Sequence, residues 1–148
     1  MGARLLAPLS VCVATALACA CGGGSGEGLD NNGRPIVAGD GSGALTASFQ
    51  SIQSHVFTPI CTVCHAGGAA PVGLRLDAAN SYAMLVGVPS TEVSSLQRVA
   101  PGRPDDSYIV HKLEGHAAVG ARMPLGGPYL DVDTIAVIRK WIADGALP

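Results

Sequence analysis

The sequence predicts a small all-α domain of about four helices joined by long loops. Apolar residues recur at helical spacing in four stretches, Gly and Pro cluster between them, and no internal repeat occurs. The chain has 148 residues, which leaves room for one compact domain at most. With 20 Gly, 10 Pro and only 4% aromatic residues, we expect a loop-rich body with few large core side chains.

The first two helices are expected before and after a cysteine pair. The first is predicted over residues 46–60, and one of its faces carries Phe49, Ile52, Val56 and Phe57. The second is short, over residues 78–86, and is expected to stop before Gly87.

The third and fourth helices have clearer boundaries. The third should begin at Pro104, a favoured first-turn residue, and end at Gly115. The fourth is predicted between a cap at Asp131 and Gly145. Its apolar stripe comprises Val132, Ile135, Ile138, Trp141 and Ile142. Residues 96–99 are expected to form a short extended piece.

The N-terminus has the pattern of an export signal over residues 1–20. A short basic segment precedes an apolar stretch that is too short to span a bilayer comfortably. A small residue, a Cys and a run of Gly then resemble the lipobox of bacterial lipoproteins. The resemblance implies cleavage before Cys21 and lipid attachment to it, with Cys19 as the alternative. An ordinary signal peptide with a soluble product also stays open.

The rest of the chain divides into a tether and a folded domain. Residues 21–44 are rich in Gly, Asn, Asp and Ser and predict a flexible tether, so the domain should occupy residues 45–148. Nine Lys and Arg stand against eleven Asp and Glu, with no basic cluster. We therefore expect no nucleic-acid partner. A lipid anchor would hold the domain at a membrane surface.

The cysteine pattern predicts a covalently attached haem. Of five Cys, Cys12 and Cys19 lie in the export signal and Cys21 directly follows it, so the domain keeps only Cys61 and Cys64. They begin and end a Cys-X-X-Cys unit that His65 follows directly, the pattern of c-type haem attachment. The two thiols would form thioethers and the imidazole would be the proximal iron ligand.

Three other interpretations compete with haem attachment. A thioredoxin-like pair needs a surrounding βαβ pattern, which the sequence does not predict. A zinc site normally needs four ligands, and a second Cys pair is missing. A structural disulfide would leave His65 without a role.

The second axial ligand is expected to be Met123, which lies in the Gly-rich loop after the third helix. Such a loop can place a sulfur over the haem, and Pro124 stiffens it. The other candidates are Met84, His55, His111 and His116. A Met ligand stabilises ferrous iron, fills the last coordination position, and so favours electron transfer over catalysis.

Five segments together resemble a group of bacterial monohaem cytochrome c domains with His/Met ligation. These are residues 57–65, 73–76, 101–108, 122–124 and 138–146. The resemblance implies an all-α cytochrome c-like fold, with crossing first and last helices and a partly exposed haem edge. It also implies that Cys61 and Cys64 form the thioethers, that His65 is the proximal ligand and that Met123 is the distal one.

The chain departs from the family pattern at two places. Small cytochromes often orient the proximal His through the carbonyl of a proline that soon follows the motif. Here the first proline after the motif is Pro71, and it comes later than in that pattern, six residues after His65. The role is therefore not assigned to it. The insert between Leu76 and Pro104 is also long, and it could cover a haem edge or form a partner surface.

The leading functional hypothesis is a one-electron carrier in the bacterial cell envelope, on the periplasmic side, with redox proteins as partners. It is not expected to be an enzyme. The alternatives are a haem-based sensor or a small peroxidase-like module with an open distal site. His116 and Arg122 are close in sequence and keep the peroxidase alternative open.

Overall fold

The computed structural model describes Gly2 and residues 43–148. Apart from Gly2, the predicted signal peptide lies outside the described residues, as do nearly all of the tether, Cys19 and Cys21. Five α-helices are α1 (Phe49–Ile52), α2 (Thr58–Ile60), α3 (Ser81–Leu85), α4 (Tyr108–Glu114) and α5 (Val132–Ala143). The described part of the chain contains no β-strand, so the predicted all-α class is confirmed.

Residues 49–63 form one continuous helical run rather than a regular α-helix. The hydroxyl oxygen of Ser48 accepts a hydrogen bond from the main-chain N–H of Ser51 and caps the run, which therefore begins at Phe49. A π-helical segment, Gln53–Phe57, joins α1 to α2 just before Pro59. Proline has no N–H and crowds the carbonyl four residues earlier, so a wider turn here relieves that crowding.

The run ends in the cysteine motif, three residues beyond the predicted end. A 3₁₀ turn covers Cys61–Val63, and the main-chain N–H of His65 donates to the carbonyl of Cys61 at 2.8 Å. The motif is therefore held on the last turn of a helical run.

The prediction that the third helix starts at Pro104 is wrong. Pro104–Asp106 form a separate 3₁₀ turn, and α4 begins only after Ser107. The hydroxyl of Ser107 accepts from the main-chain N–H of Ala100 at 2.8 Å and donates to the carbonyl of Arg103 at 2.9 Å. These bonds hold Ser107 in an extended conformation that interrupts the helix.

Helix α5 follows the sequence prediction closely. The carboxylate of Asp131 accepts from the main-chain N–H of Thr134 at 2.7 Å, and Gly145 lies just past the end. Four of the five stripe residues are buried, but Val132 is 79% exposed and its assignment to the stripe is wrong. Each residue turns an α-helix by about 100°, which places position 132 beyond the edge of the stripe.

Aromatic contacts join the first run to α3 and α5. The ring of Phe49 lies 4.9 Å from that of Tyr82 and 5.7 Å from that of Trp141. The Tyr82 hydroxyl donates to the carbonyl of Ala146 at 3.0 Å and ties α3 to the C-terminus. The core therefore lies between the helical regions, beside the cysteine motif.

The long insert folds back on itself next to α3. Isolated bridges pair Val86 with Val99 and Pro89 with Gln97, which confirms the extended piece predicted at residues 96–99.

No helix among the described residues is long and apolar enough to cross a membrane.

Candidate haem-binding site

A largely apolar cavity of ≈ 290 Å³ lies beside the cysteine motif. Its apolar walls come from the helical run, the loop after the motif, α3, α4 and the loop before α5. These residues are Val56, Phe57, Ile60, Pro71, Val72, Leu74, Leu76, Leu85, Tyr108, Ile109, Leu113, Pro124, Leu125 and Leu130. Such a cavity suits a large apolar ligand.

The three motif residues all line this cavity. Cys61 is partly buried, Cys64 is exposed, and both are free thiols. Burial raises the pKa of the Cys61 thiol to about 11, so it stays protonated at neutral pH.

His65 is oriented by a main-chain carbonyl. Its Nδ1 lies 3.0 Å from the carbonyl oxygen of Leu74. That acceptor requires a proton on Nδ1, so the lone pair of the neutral imidazole is on Nε2, the arrangement typical of a histidine that binds a metal. The carbonyl belongs to Leu74 and not to Pro71, which agrees with leaving Pro71 unassigned.

A buried glutamine supports the loop that carries Leu74. The Gln53 amide nitrogen donates to the carbonyl of Leu76 at 2.9 Å, and the Ser81 hydroxyl donates to its amide oxygen. The main-chain N–H of Leu76 donates to the carbonyl of His65 at 2.7 Å. Sequence reasoning missed Gln53, although a polar residue on the apolar face of the first helix was the available signal.

Met123 also lines the cavity. Its main-chain N–H donates to the carbonyl of Lys112 in α4 at 2.9 Å. The structure therefore brings the expected distal residue to the same cavity as the motif.

The competing distal candidates do not line the cavity. The sulfur of Met84 accepts from the main-chain N–H of Arg75 at 3.3 Å. His55 Nε2 lies 2.6 Å from the carbonyl oxygen of Gly43, and His111 Nε2 lies 2.7 Å from that of Asp105. His116 lies 2.8 Å from a carboxylate oxygen of Glu114.

Arg122 secures the loop beside Met123, a role that the sequence did not predict. Its Nε donates to the carbonyl of Leu113 at 2.9 Å. Its guanidinium lies 4.2 Å from the ring centre of Tyr129, further along the loop. The side chain thus ties together α4 and both ends of the segment that presents Met123.

Three charged side chains line the cavity besides the histidine. Lys112 Nζ lies 2.8 Å from a carboxylate oxygen of Glu92 and also donates to the carbonyl of Val119 at 2.8 Å. Arg98 donates from Nη1 to the carbonyl of Met84 at 2.9 Å. Sequence reasoning did not identify these groups, because neither the insert nor α4 carries a local signal of where the charged side chains lie.

The residues present fit a covalently attached haem. Two free thiols, an imidazole oriented by its Nδ1 bond and a thioether side chain border one apolar cavity. These are the donors that a c-type haem with His/Met ligation uses. No protein-family model, curated protein or solved structure matches the chain.

Proposed function

We propose that this protein is a cytochrome c-like electron carrier with one covalently attached haem. Cys61 and Cys64 provide the thioether bonds, and His65 and Met123 are the axial ligands. The observation that carries the proposal is that these four residues, from two distant parts of the chain, line one apolar cavity.

Attachment needs only the groups that the motif offers. Cys61 and Cys64 would hold the haem through thioether bonds. Each sulfur would bond to one vinyl carbon and its proton would go to the other, so that the vinyl double bond would be lost. No electrons are exchanged, so no external oxidant is needed.

The haem iron would supply one-electron exchange, and the side chains around the cavity would set its surroundings. Apolar walls exclude water, the Leu74 carbonyl fixes the His65 ring, and the Met123 thioether favours the reduced iron. If His65 and Met123 both bind the iron, they would leave no open position for oxygen or peroxide. His116 and Arg122, which a peroxidase would need at the cavity, are bonded elsewhere.

The proposal places the domain at the periplasmic side of the bacterial cell envelope. Its basis is the export signal over residues 1–20, with lipid attachment at Cys21 and the tether over residues 21–44. Redox proteins of the envelope would then be the electron donor and acceptor.

Haem attachment is tested on protein matured in a host that has the c-type attachment apparatus. We expect an added mass of one haem and a pyridine haemochrome spectrum of c type. A polypeptide without added mass would refute the proposal.

The distal ligand is tested by Met123→Ala, with Met84→Ala as the matched control. The oxidised wild type should show the weak near-infrared sulfur-to-iron band. We expect the band to be lost in Met123→Ala and retained in Met84→Ala, because Met123 lines the cavity and Met84 does not. Rapid carbon monoxide binding by the reduced wild type would instead favour a sensor with an open distal site.

A further inference from the structure

We propose that Arg98 is the carboxylate-binding residue of the cavity and pairs with a propionate of the haem. The inference rests on the proposed function, and it gives the long insert a role in binding the cofactor. A c-type haem carries two propionates, and an apolar cavity that binds it must leave them in water or provide a cation.

The charges at the cavity leave Arg98 as the cation that is not neutralised. Glu92 and Lys112 also line the cavity, but they pair with each other at 2.8 Å. Within residues 43–148, Arg98 takes part in no ion pair, whereas Arg103 and Arg139 do. His65 is the remaining titratable nitrogen at the wall, and its Nδ1 is occupied by Leu74.

Arg98 is partly buried, and one nitrogen of its guanidinium is held in place. Its Nη1 donates to the carbonyl of Met84 at 2.9 Å, and the main-chain N–H of Arg98 donates to the carbonyl of Val88 at 2.7 Å. An arginine has five N–H donors, so several remain for an anion. A planar guanidinium binds a carboxylate through two parallel hydrogen bonds, and one that is fixed beforehand loses little side-chain entropy on binding.

The test observes the carboxylates directly in the holoprotein. Cells supplied with 5-aminolevulinate labelled with ¹³C at its carboxyl carbon place the label in both haem propionates. The two labelled signals of the reduced protein are followed by NMR as the pH is lowered. We expect one propionate of the wild type to titrate at a lower pH than the other, because the cation beside it stabilises its charge.

Arg98→Ala should raise the pKa of that propionate by about 1 to 3 and leave the other nearly unchanged. Arg98→Lys should give an intermediate value, since it keeps the charge but loses the planar fork. Arg103→Ala is the matched control. Its propionates should titrate like those of the wild type, because Arg103 is exposed and does not line the cavity.

Identical propionate titrations in Arg98→Ala and the wild type would overturn the proposal. It would also be overturned if added ¹³C-acetate bound the wild type but not Arg98→Ala while the propionates stayed unchanged, since Arg98 would then take a free carboxylate. Both results differ from a failure of the proposed function, in which no labelled haem would be attached to the protein.

Discussion

The Nδ1 atom of His65 lies 3.0 Å from the carbonyl oxygen of Leu74, nine residues further along the chain. This contact closes the loop that follows the cysteine motif and fixes the ring plane of the imidazole. Because the acceptor is a main-chain atom, its position depends on what holds the loop. The nearest support is Gln53, which donates to the carbonyl of Leu76 from the first helical run.

Gln53→Leu should destabilise the holoprotein. It leaves the Leu76 carbonyl and the Ser81 hydroxyl without their buried partner, and each such loss costs about 1 to 3 kcal/mol. We expect the free energy of unfolding, measured by urea titration, to fall by about 2 kcal/mol or more, because two groups lose their partner. Gln50→Leu is the matched control, because Gln50 is exposed on the same run. Equal stability of the two variants would contradict the role given to Gln53.

Arg122→Ala should weaken the hold on Met123. The change removes the hydrogen bond to Leu113 and the contact with the Tyr129 ring, a loss of about 1.5 kcal/mol or more. Since 1.4 kcal/mol is a factor of ten, added imidazole should displace Met123 from the oxidised iron with about tenfold higher affinity. Spectroscopic titration of the near-infrared band measures this.

The controls for Arg122 separate charge from geometry. Arg122→Lys should lie between the wild type and Arg122→Ala, because it keeps a cation over Tyr129 but loses the bond from Nε. Arg103→Ala should leave the imidazole affinity unchanged. If Arg122→Ala matches the wild type, the loop is held by its main-chain bonds alone.

The pair of Lys112 and Glu92 is partly buried and should be worth more than an exposed ion pair. Glu92→Ala leaves the Lys112 ammonium, whose side chain is 11% exposed, without its carboxylate. We expect a loss of about 3 kcal/mol of unfolding free energy. The double variant Glu92→Ala/Lys112→Met should recover most of it, because no buried charge is left unpaired.

A matched comparison is the exposed pair of Lys140 and Asp144 at 2.8 Å. Asp144→Ala should cost less than about 1 kcal/mol, because solvent screens an exposed pair. Chemical denaturation of the wild type and the three variants provides the comparison. A Glu92→Ala variant no less stable than Asp144→Ala would show that the cavity wall is well hydrated at this point.

The elements that the sequence predicted well are those with local signals. The cap at Asp131 and the spacing of Ile135, Ile138 and Trp141 lie within α5 itself, and the structure bears them out. The start of α4 was misplaced because Ser107 is bound to Ala100 and Arg103 in a loop whose course the local pattern does not reveal.

The residues of the candidate site also divide into those with a local sequence signal and those without one. The motif and Met123 could be chosen from residue type and loop position, and both line the cavity. The other site residues bind groups that lie 14 to 23 residues away in sequence. The pairs are Gln53 with Leu76, Arg98 with Met84, and Lys112 with Glu92. Such partners become apparent only when the chain is folded.

The cap of α5 should make stability fall in acid. The pKa of Asp131 is lowered, first by the hydrogen bond from the main-chain N–H of Thr134 and then by that from its hydroxyl. A carboxyl with a lowered pKa in the folded state stabilises the fold above its unfolded pKa of about 3.9, and this contribution is lost as the pH falls through the folded value. Thermal unfolding of the holoprotein between pH 7 and 2 should therefore show a decline that begins near pH 4.

Asp131→Asn isolates the charge, because an amide oxygen still accepts the hydrogen bond from Thr134 while it carries no ionisable group. We expect a Tm slightly below that of the wild type at pH 7 and a smaller decline in acid. Asp131→Ala should have a lower Tm at every pH, because the cap is lost. Asp133→Ala, in the same exposed turn, should change the Tm little at either end of the pH range. An acid decline in Asp131→Asn as steep as that of the wild type would assign the effect to another carboxyl. Asp105 would then be the first to test, because its hydrogen bond with Arg139 also lowers its pKa.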